Sequence, residues 1–225
     1  MNRYLIERTF NNGLQISADT VGADECLKIV SRNLDDEVTW IHSYVSDDKS
    51  KSFCIYDAPS PEAIRRSAKR NNLPIDKITE VRVLDPYFHL LHSFINKKFE
   101  AKMKNYFLFL VSLAMILLFT TNILAQQENA KEKIVMHRYL VERTFPDGLN
   151  IPVNMEGSEI CLTVVSTNAE DNVTWIHSYV TMDKKKTFCI YDAPSPEAIR
   201  KSAKNNGLPV DNIIEVSVLD PYFYK

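Results

Sequence analysis

A chain of 225 residues, 45% hydrophobic and 25% charged, lies in the ordinary globular range and has room for one large domain or two small ones. Its formal net charge of -2, from 27 basic and 29 acidic residues, excludes a global electrostatic pull toward nucleic acid, so no nucleic-acid partner is expected. Four cysteines, Cys26, Cys54, Cys161 and Cys189, are too few and too widely spaced for a disulfide scaffold, and none sits in a CxxC zinc pair.

The first segment, "RYLIERTF" (Arg3–Phe10), alternates and is rich in strand formers, so it reads as a strand closed by the turn "NNG". Ala23–Asn33 places Cys26, Leu27 and Val30 at helical spacing with Ile29 beside them. "VTWIHSYV" and "KSFCIYDA" read as two strands joined through "SDDKS". In "APSPEAIRRSAKRNN", Ser60 suits the N-cap of a second helix, Pro61 its first position and Glu62 the positive end of its dipole. Asn72 fits a left-handed stop, and a final strand is expected near Ile78–Leu84. The order β-α-β-β-α-β is that of the ferredoxin-like split unit.

All of this then recurs. One constant offset links Tyr4 to Tyr139, Cys26 to Cys161, Trp40 to Trp175, His42 to His177 and Tyr87 to Tyr222, and "FCIYDAPSPEAIR" is repeated letter for letter. The chain is therefore two versions of one small domain. The expected layout is residues 1–88 for copy one, a basic linker at 89–105, an apolar segment at 106–125, a second linker at 126–137 and copy two at 138–225. The expected fold class is α+β, two ferredoxin-like domains joined by a hydrophobic helix.

From Tyr106 to Ala125 there is no charge. At ~1.5 Å per residue such a helix covers the ~30 Å hydrocarbon core of a bilayer. The same stretch has the layout of a signal peptide, with Met103 and Lys104 before the apolar run and Ala125 before polar "QQENAKEK". The lysines at 97, 98, 102 and 104 crowd the upstream flank, which orients the chain as a single-pass membrane protein. Copy one is then cytoplasmic and copy two periplasmic or extracellular, or secreted after cleavage near Ala125.

In a split β-α-β sheet both helices cover one face and leave the other open. Strict alternation sends Ile41, Ser43 and Val45 to the helix side and Trp40, His42 and Tyr44 to the open face. An open face this aromatic predicts dimerisation, copy with copy or chain with chain, and a membrane between the copies would require the latter. His42 and His177 are the matched histidines of the repeat, and imidazole binds nickel, copper or zinc readily. Cys54 and Cys189, Asp57 and Asp192, and Glu7 and Glu142 are the remaining candidate ligands. Whether Cys54 shares a face with His42 depends on hairpin register. Asp57 also reads as a helix-entry residue, and the cysteines also read as buried apolar groups.

"YLVERTF", "TWIHSYV", "TFCIYDAPSPEAIR", "NGLPVD" and "VLDPYF" together resemble a family of small bacterial domains, formerly of unknown function, called nickel-binding proteins after one member. Copy two is the closer match; copy one has "NNGLQIS" for "PDGLNIP" and Asn72 for Gly207. The resemblance implies a ferredoxin-like fold, a homodimer, and Ni(II) binding with a role in sequestration. The rival reading is a small-molecule binding or sensory module, or a cofactor-free enzyme of the dimeric α+β-barrel type, using the open face as a pocket. No Gly-rich phosphate loop, GxSxG or HExxH motif supplies catalytic machinery.

Overall fold

The computed structural model describes residues 1–16, 20–87, 134–152 and 154–222. Copy one contains β1 (Asn2–Thr9), α1 (Thr20–Asn33), a 3-10 turn (Leu34–Asp36), β2 (Thr39–Ser46), β3 (Lys51–Ala58), α2 (Pro61–Arg70) and β4 (Lys77–Leu84). Copy two repeats the series as β5 (His137–Thr144), α3 (Met155–Ala169), β6 (Thr174–Thr181), β7 (Lys186–Ala193), α4 (Pro196–Asn205) and β8 (Asn212–Leu219). The β-α-β-β-α-β order expected of each copy is present, with boundaries within three residues of those read from sequence, and the chain is of the α+β class.

The local signals act as their chemistry requires. The Ser60 and Ser195 hydroxyls accept from the backbone N–H of Ala63 and Ala198, with a proline opening each helix. Asn154 does the same for Gly157 at the start of α3. Past the ends of α2 and α4, Asn72 and Gly207 take left-handed conformations with φ of 52° and 64°.

Within each copy all pairings are antiparallel, β4-β1-β3-β2 in the first and β8-β5-β7-β6 in the second. The four outer strands then pair between copies. Ser43–Ser46 of β2 run against Val216–Leu219 of β8, and Val81–Leu84 of β4 against Ser178–Thr181 of β6. The eight strands close into a barrel, leaving no open edge.

This closure corrects the membrane reading. Two copies that share backbone ladders on both sides cannot lie one inside and one outside a bilayer. Among the described residues, no helix is long and apolar enough to cross a membrane. The segment 106–125, on which the single-pass expectation rested, lies outside the described residues, as does the linker 89–105. The aromatic sheet faces meet each other within one chain.

Three cores result. Between helices and sheet, copy one buries Tyr4, Ile6, Cys26, Trp40, Cys54, Tyr56 and Ile64, and copy two buries the matching Tyr139, Val141, Cys161, Trp175, Cys189, Tyr191 and Ile199. The barrel interior holds Leu5, Tyr44, Phe53 and Ile55 from copy one against Leu140, Tyr179, Phe188 and Ile190 from copy two.

The hairpin departs from strict alternation. In β2, Trp40 pairs with Tyr56 but His42 pairs with Ile55, so Ile41 is an extra residue in a bulge; Ile176 repeats this in β6. One inserted residue flips the register of everything before it. Trp40 therefore packs on the helix side, its indole N–H donating to Ser43 Oγ at 3.0 Å, whereas His42 and Tyr44 face the barrel interior with Ile41. The expected grouping of Trp40 with His42 and Tyr44 is corrected on this ground.

Candidate functional site

The polar part of the barrel interior is assembled by exchange between copies. His42 Nε2 is hydrogen-bonded to the Tyr179 hydroxyl at 3.1 Å, and His177 Nε2 to the Tyr44 hydroxyl at 3.2 Å. Tyr44 touches both imidazoles: its ring stands edge-on to His42 at a centroid distance of 5.0 Å and tilted to His177 at 6.4 Å. Tyr179 mirrors this at 5.0 Å from His177 and 6.4 Å from His42. Ordinary alternation puts each histidine on the same side of the sheet as the tyrosine two residues on, and the bulge before it turns Trp40 and Trp175 away to the helix side.

Burial sets the protonation states. It lowers the pKa of His42, with Arg3 reinforcing the shift and Asp220 opposing it. His177 is pushed down to about 4, again chiefly by burial, with the His42 charge adding to it. Both imidazoles are therefore neutral at pH 7. Burial also pushes the Tyr44 phenol up to about 12, and raises Tyr179 with a further contribution from Tyr44. Each phenol is a proton-bearing partner for a neutral ring nitrogen.

The other residues expected from sequence are distributed around this pair rather than gathered on it. Asp57 is gripped by Arg3 through two contacts of 2.8 Å, and Asp192 by Arg138 at 2.8 and 2.9 Å, bidentate pairs that occupy both carboxylate oxygens. Cys54 and Cys189 are buried on the opposite face of the sheet from His42 and His177, each 3.2 Å from a hydroxyl, of Ser52 and Thr187 respectively. Glu142 is ion-paired with Lys186 at 2.5 Å. Glu7, three residues nearer the far end of β1 than Tyr4, has its pKa raised by burial against the pull of Lys186, and one of its oxygens is buried without a partner among the described residues. Among the described residues, no three His, Cys, Asp or Glu side chains stand close enough together to hold a metal ion. Among the described residues, the interior thus holds two imidazoles, each bonded to the other copy's tyrosine, and not a complete protein cage for a metal.

Sequence reasoning singled out His42 and His177 but not the tyrosines they bond. Tyr44 and Tyr179 were visible as open-face aromatics, but nothing in one copy indicates that its tyrosine bonds the other copy's histidine. Arg3 and Arg138 stand at the start of β1 and β5, and only the strand pairing shows that each lies opposite an aspartate.

Among solved structures, SCO4226 from Streptomyces coelicolor A3(2) is 18% identical, with 35% of this chain matching 94% of that one at a TM-score of 0.30. A protein provisionally assigned as a chlorite dismutase, TA0507, is 9% identical over 98% of this chain and 96% of its own, with a TM-score of 0.37. The protein BT0572 from Bacteroides thetaiotaomicron is 7% identical over 93% and 90%, at 0.25. No match is found among curated proteins. The sequence profile described as "Nickel responsive protein SCO4226-like" matches twice, at residues 4–81 and 139–216, which are the two barrel halves. With both halves matched, the chain belongs to the SCO4226-like family of nickel responsive proteins and carries the family's domain in duplicate.

Proposed function

We propose that the chain is a nickel-binding protein, serving metal sequestration, in which two fused copies replace a homodimer and His42 and His177 are the nitrogen donors. The observation that supports this reading is the exchanged pair itself: each copy contributes one half-buried imidazole to a shared polar patch, and partial burial favours the neutral form that ligates metal. Imidazole suits Ni(II), and the family's description speaks of nickel response. Nickel held at Nε2 would take the place of the phenol hydrogen bond there, which would free Tyr44 and Tyr179. That is a means of response as well as of storage. With two protein donors among the described residues, water would complete the coordination shell.

Calorimetric titration of Ni(II) into the full chain, and into the double variant His42→Ala/His177→Ala, tests it. The expected result is saturable binding to the parent that disappears in the variant; unchanged stoichiometry and affinity would overturn the assignment.

A further inference from the structure

On the helix side of each sheet a cationic side chain is buried without an anion. Arg8 and Arg143 are each 3% exposed, and neither takes part in an ion pair among the described residues. Each donates through Nη1 to a backbone carbonyl, of Pro74 and Pro209, and lies over a tyrosine ring, 5.8 Å from the centroid of Tyr56 and 5.7 Å from that of Tyr191. In both, Nε is buried with no hydrogen-bond partner among the described residues. A buried charge without an anion costs several kcal/mol; the proline carbonyl and the tyrosine ring offset part of this in both copies, and a carboxylate would offset more where there is room for one.

The two copies differ in the space beside this charge. In copy one the cavity lined by Arg8, Trp40 and Ile29 measures about 20 Å³, the size of one water. In copy two the matching cavity, lined by Arg143, Phe145, Leu149, Val164, Trp175 and Leu208, measures about 210 Å³. A cavity of ~150 Å³ accepts a benzene ring, so this one holds a ring with a short arm. Its walls are mostly apolar, with Asn150, Ser178, Thr187, Tyr191 and Asn206 among them, and the Arg143 guanidinium is the one cation among the lining residues, the group that pairs with a carboxylate. The Nη2 contact, to the Tyr191 hydroxyl, is long at 3.4 Å and yields readily to a charged acceptor.

We propose that the copy-two cavity binds a small carboxylate with an apolar or aromatic body, its carboxylate paired with Arg143 and its body against Trp175 and Val164. Copy one, filled to the size of a water, is the silent counterpart. The cavity opens on the opposite face of β6 from His177, so this site and the nickel reading stand or fall separately.

Titration of phenylacetate into the full chain, followed by tryptophan fluorescence and calorimetry, with phenylacetamide as the neutral analogue of the same shape, tests the proposal. One phenylacetate per chain is expected, at least about tenfold tighter than the amide. Arg143→Gln removes that preference while Arg8→Gln leaves it unchanged. Val164→Phe, which fills the cavity without touching the charge, abolishes binding in a chain whose circular dichroism is that of the parent, and keeps the test decisive if Arg143→Gln does not fold. Equal affinity for acid and amide, absence of phenylacetate binding, or binding that survives Val164→Phe would overturn it.

Discussion

The helix-side cores and the barrel interior are opposite faces of the same eight strands, yet they are built by different rules. Each helix-side core draws its buried residues from one copy: Tyr4, Trp40, Tyr56 and Ile64 in the first, Tyr139, Trp175, Tyr191 and Ile199 in the second. The interior draws half of its residues from each, with Phe53 and Phe188 6.4 Å apart at its centre. One set of faces specifies the fold of a copy; the other specifies that two copies come together. A single copy would leave its half of the interior, Leu5, Phe53 and Ile55 included, open to water as an apolar patch.

The strongest way to break that distinction is to damage the interior. Phe188 is fully buried, and Phe188→Ala is expected to cost about 3–5 kcal/mol, the range for losing a buried aromatic. Because the interior is shared, chemical denaturation followed by hydrogen exchange is expected to show protection falling in both copies. Ile64→Val on the helix side is expected to cost about 1 kcal/mol, with its effect concentrated in copy one. Loss of protection confined to copy two after Phe188→Ala would show that the halves do not fold as one barrel.

Acid sharpens the comparison at the polar end of the interior. His177 has a folded pKa of about 4, below its ordinary value of 6.5, so the unfolded chain binds the proton more readily. The neutral imidazole's contribution is therefore fully present above pH 6.5 and is lost as pH falls through about 4. With some solvent screening at this half-buried group, the loss amounts to about 2 kcal/mol. Denaturant midpoints measured from pH 7 to pH 4 are expected to fall, and the fall to shrink in His177→Gln. An equal fall in the variant would show that the carboxylates, not the imidazole pair, set the acid limit.

Most of each copy was legible in sequence because its signals are local. Ser60 before Pro61, the helical spacing of Cys26 and Val30, and the left-handed Asn72 each act within a few residues. The failures are non-local. Trp40 was assigned to the wrong face because a bulge is fixed by pairing with β3, and Ile41 carries no mark of being the extra residue. The His42–Tyr179 bond was invisible because it joins residues in different copies, and the apolar run at 106–125 argued for a barrier between them. The burial of Arg8 and Arg143 has no local mark in the sequence, since burial of a guanidinium depends on what packs above it.

Smaller tests address the elements that the helix-side cores rest on. Ser60→Ala removes the acceptor for the Ala63 N–H at the start of α2 and is expected to cost about 1 kcal/mol. Since the identical cap at Ser195 remains, the loss belongs to copy one, and thermal unfolding of Ser195→Ala should shift by the same amount. Unequal shifts would mean that the two helices are not equivalent supports of the barrel.

The finest difference between the copies is the residue that ends α2 and α4. Asn72 holds a φ of 52°, where a side chain is crowded by its own backbone, whereas Gly207 at 64° has no Cβ and open space around it. Asn72→Gly relieves that crowding, but it also gives the unfolded chain more conformations to lose on folding. Asparagine tolerates the left-handed region better than most residues, so the first effect is small and the second offsets it. The expected change in stability is within about 0.5 kcal/mol, and the reverse exchange Gly207→Asn should be equally mild because nothing stands in the way of the new side chain. A loss above about 1 kcal/mol in either variant, measured by denaturant unfolding, would show that Asn72 makes a contact beyond its own turn and that the two stops are not interchangeable.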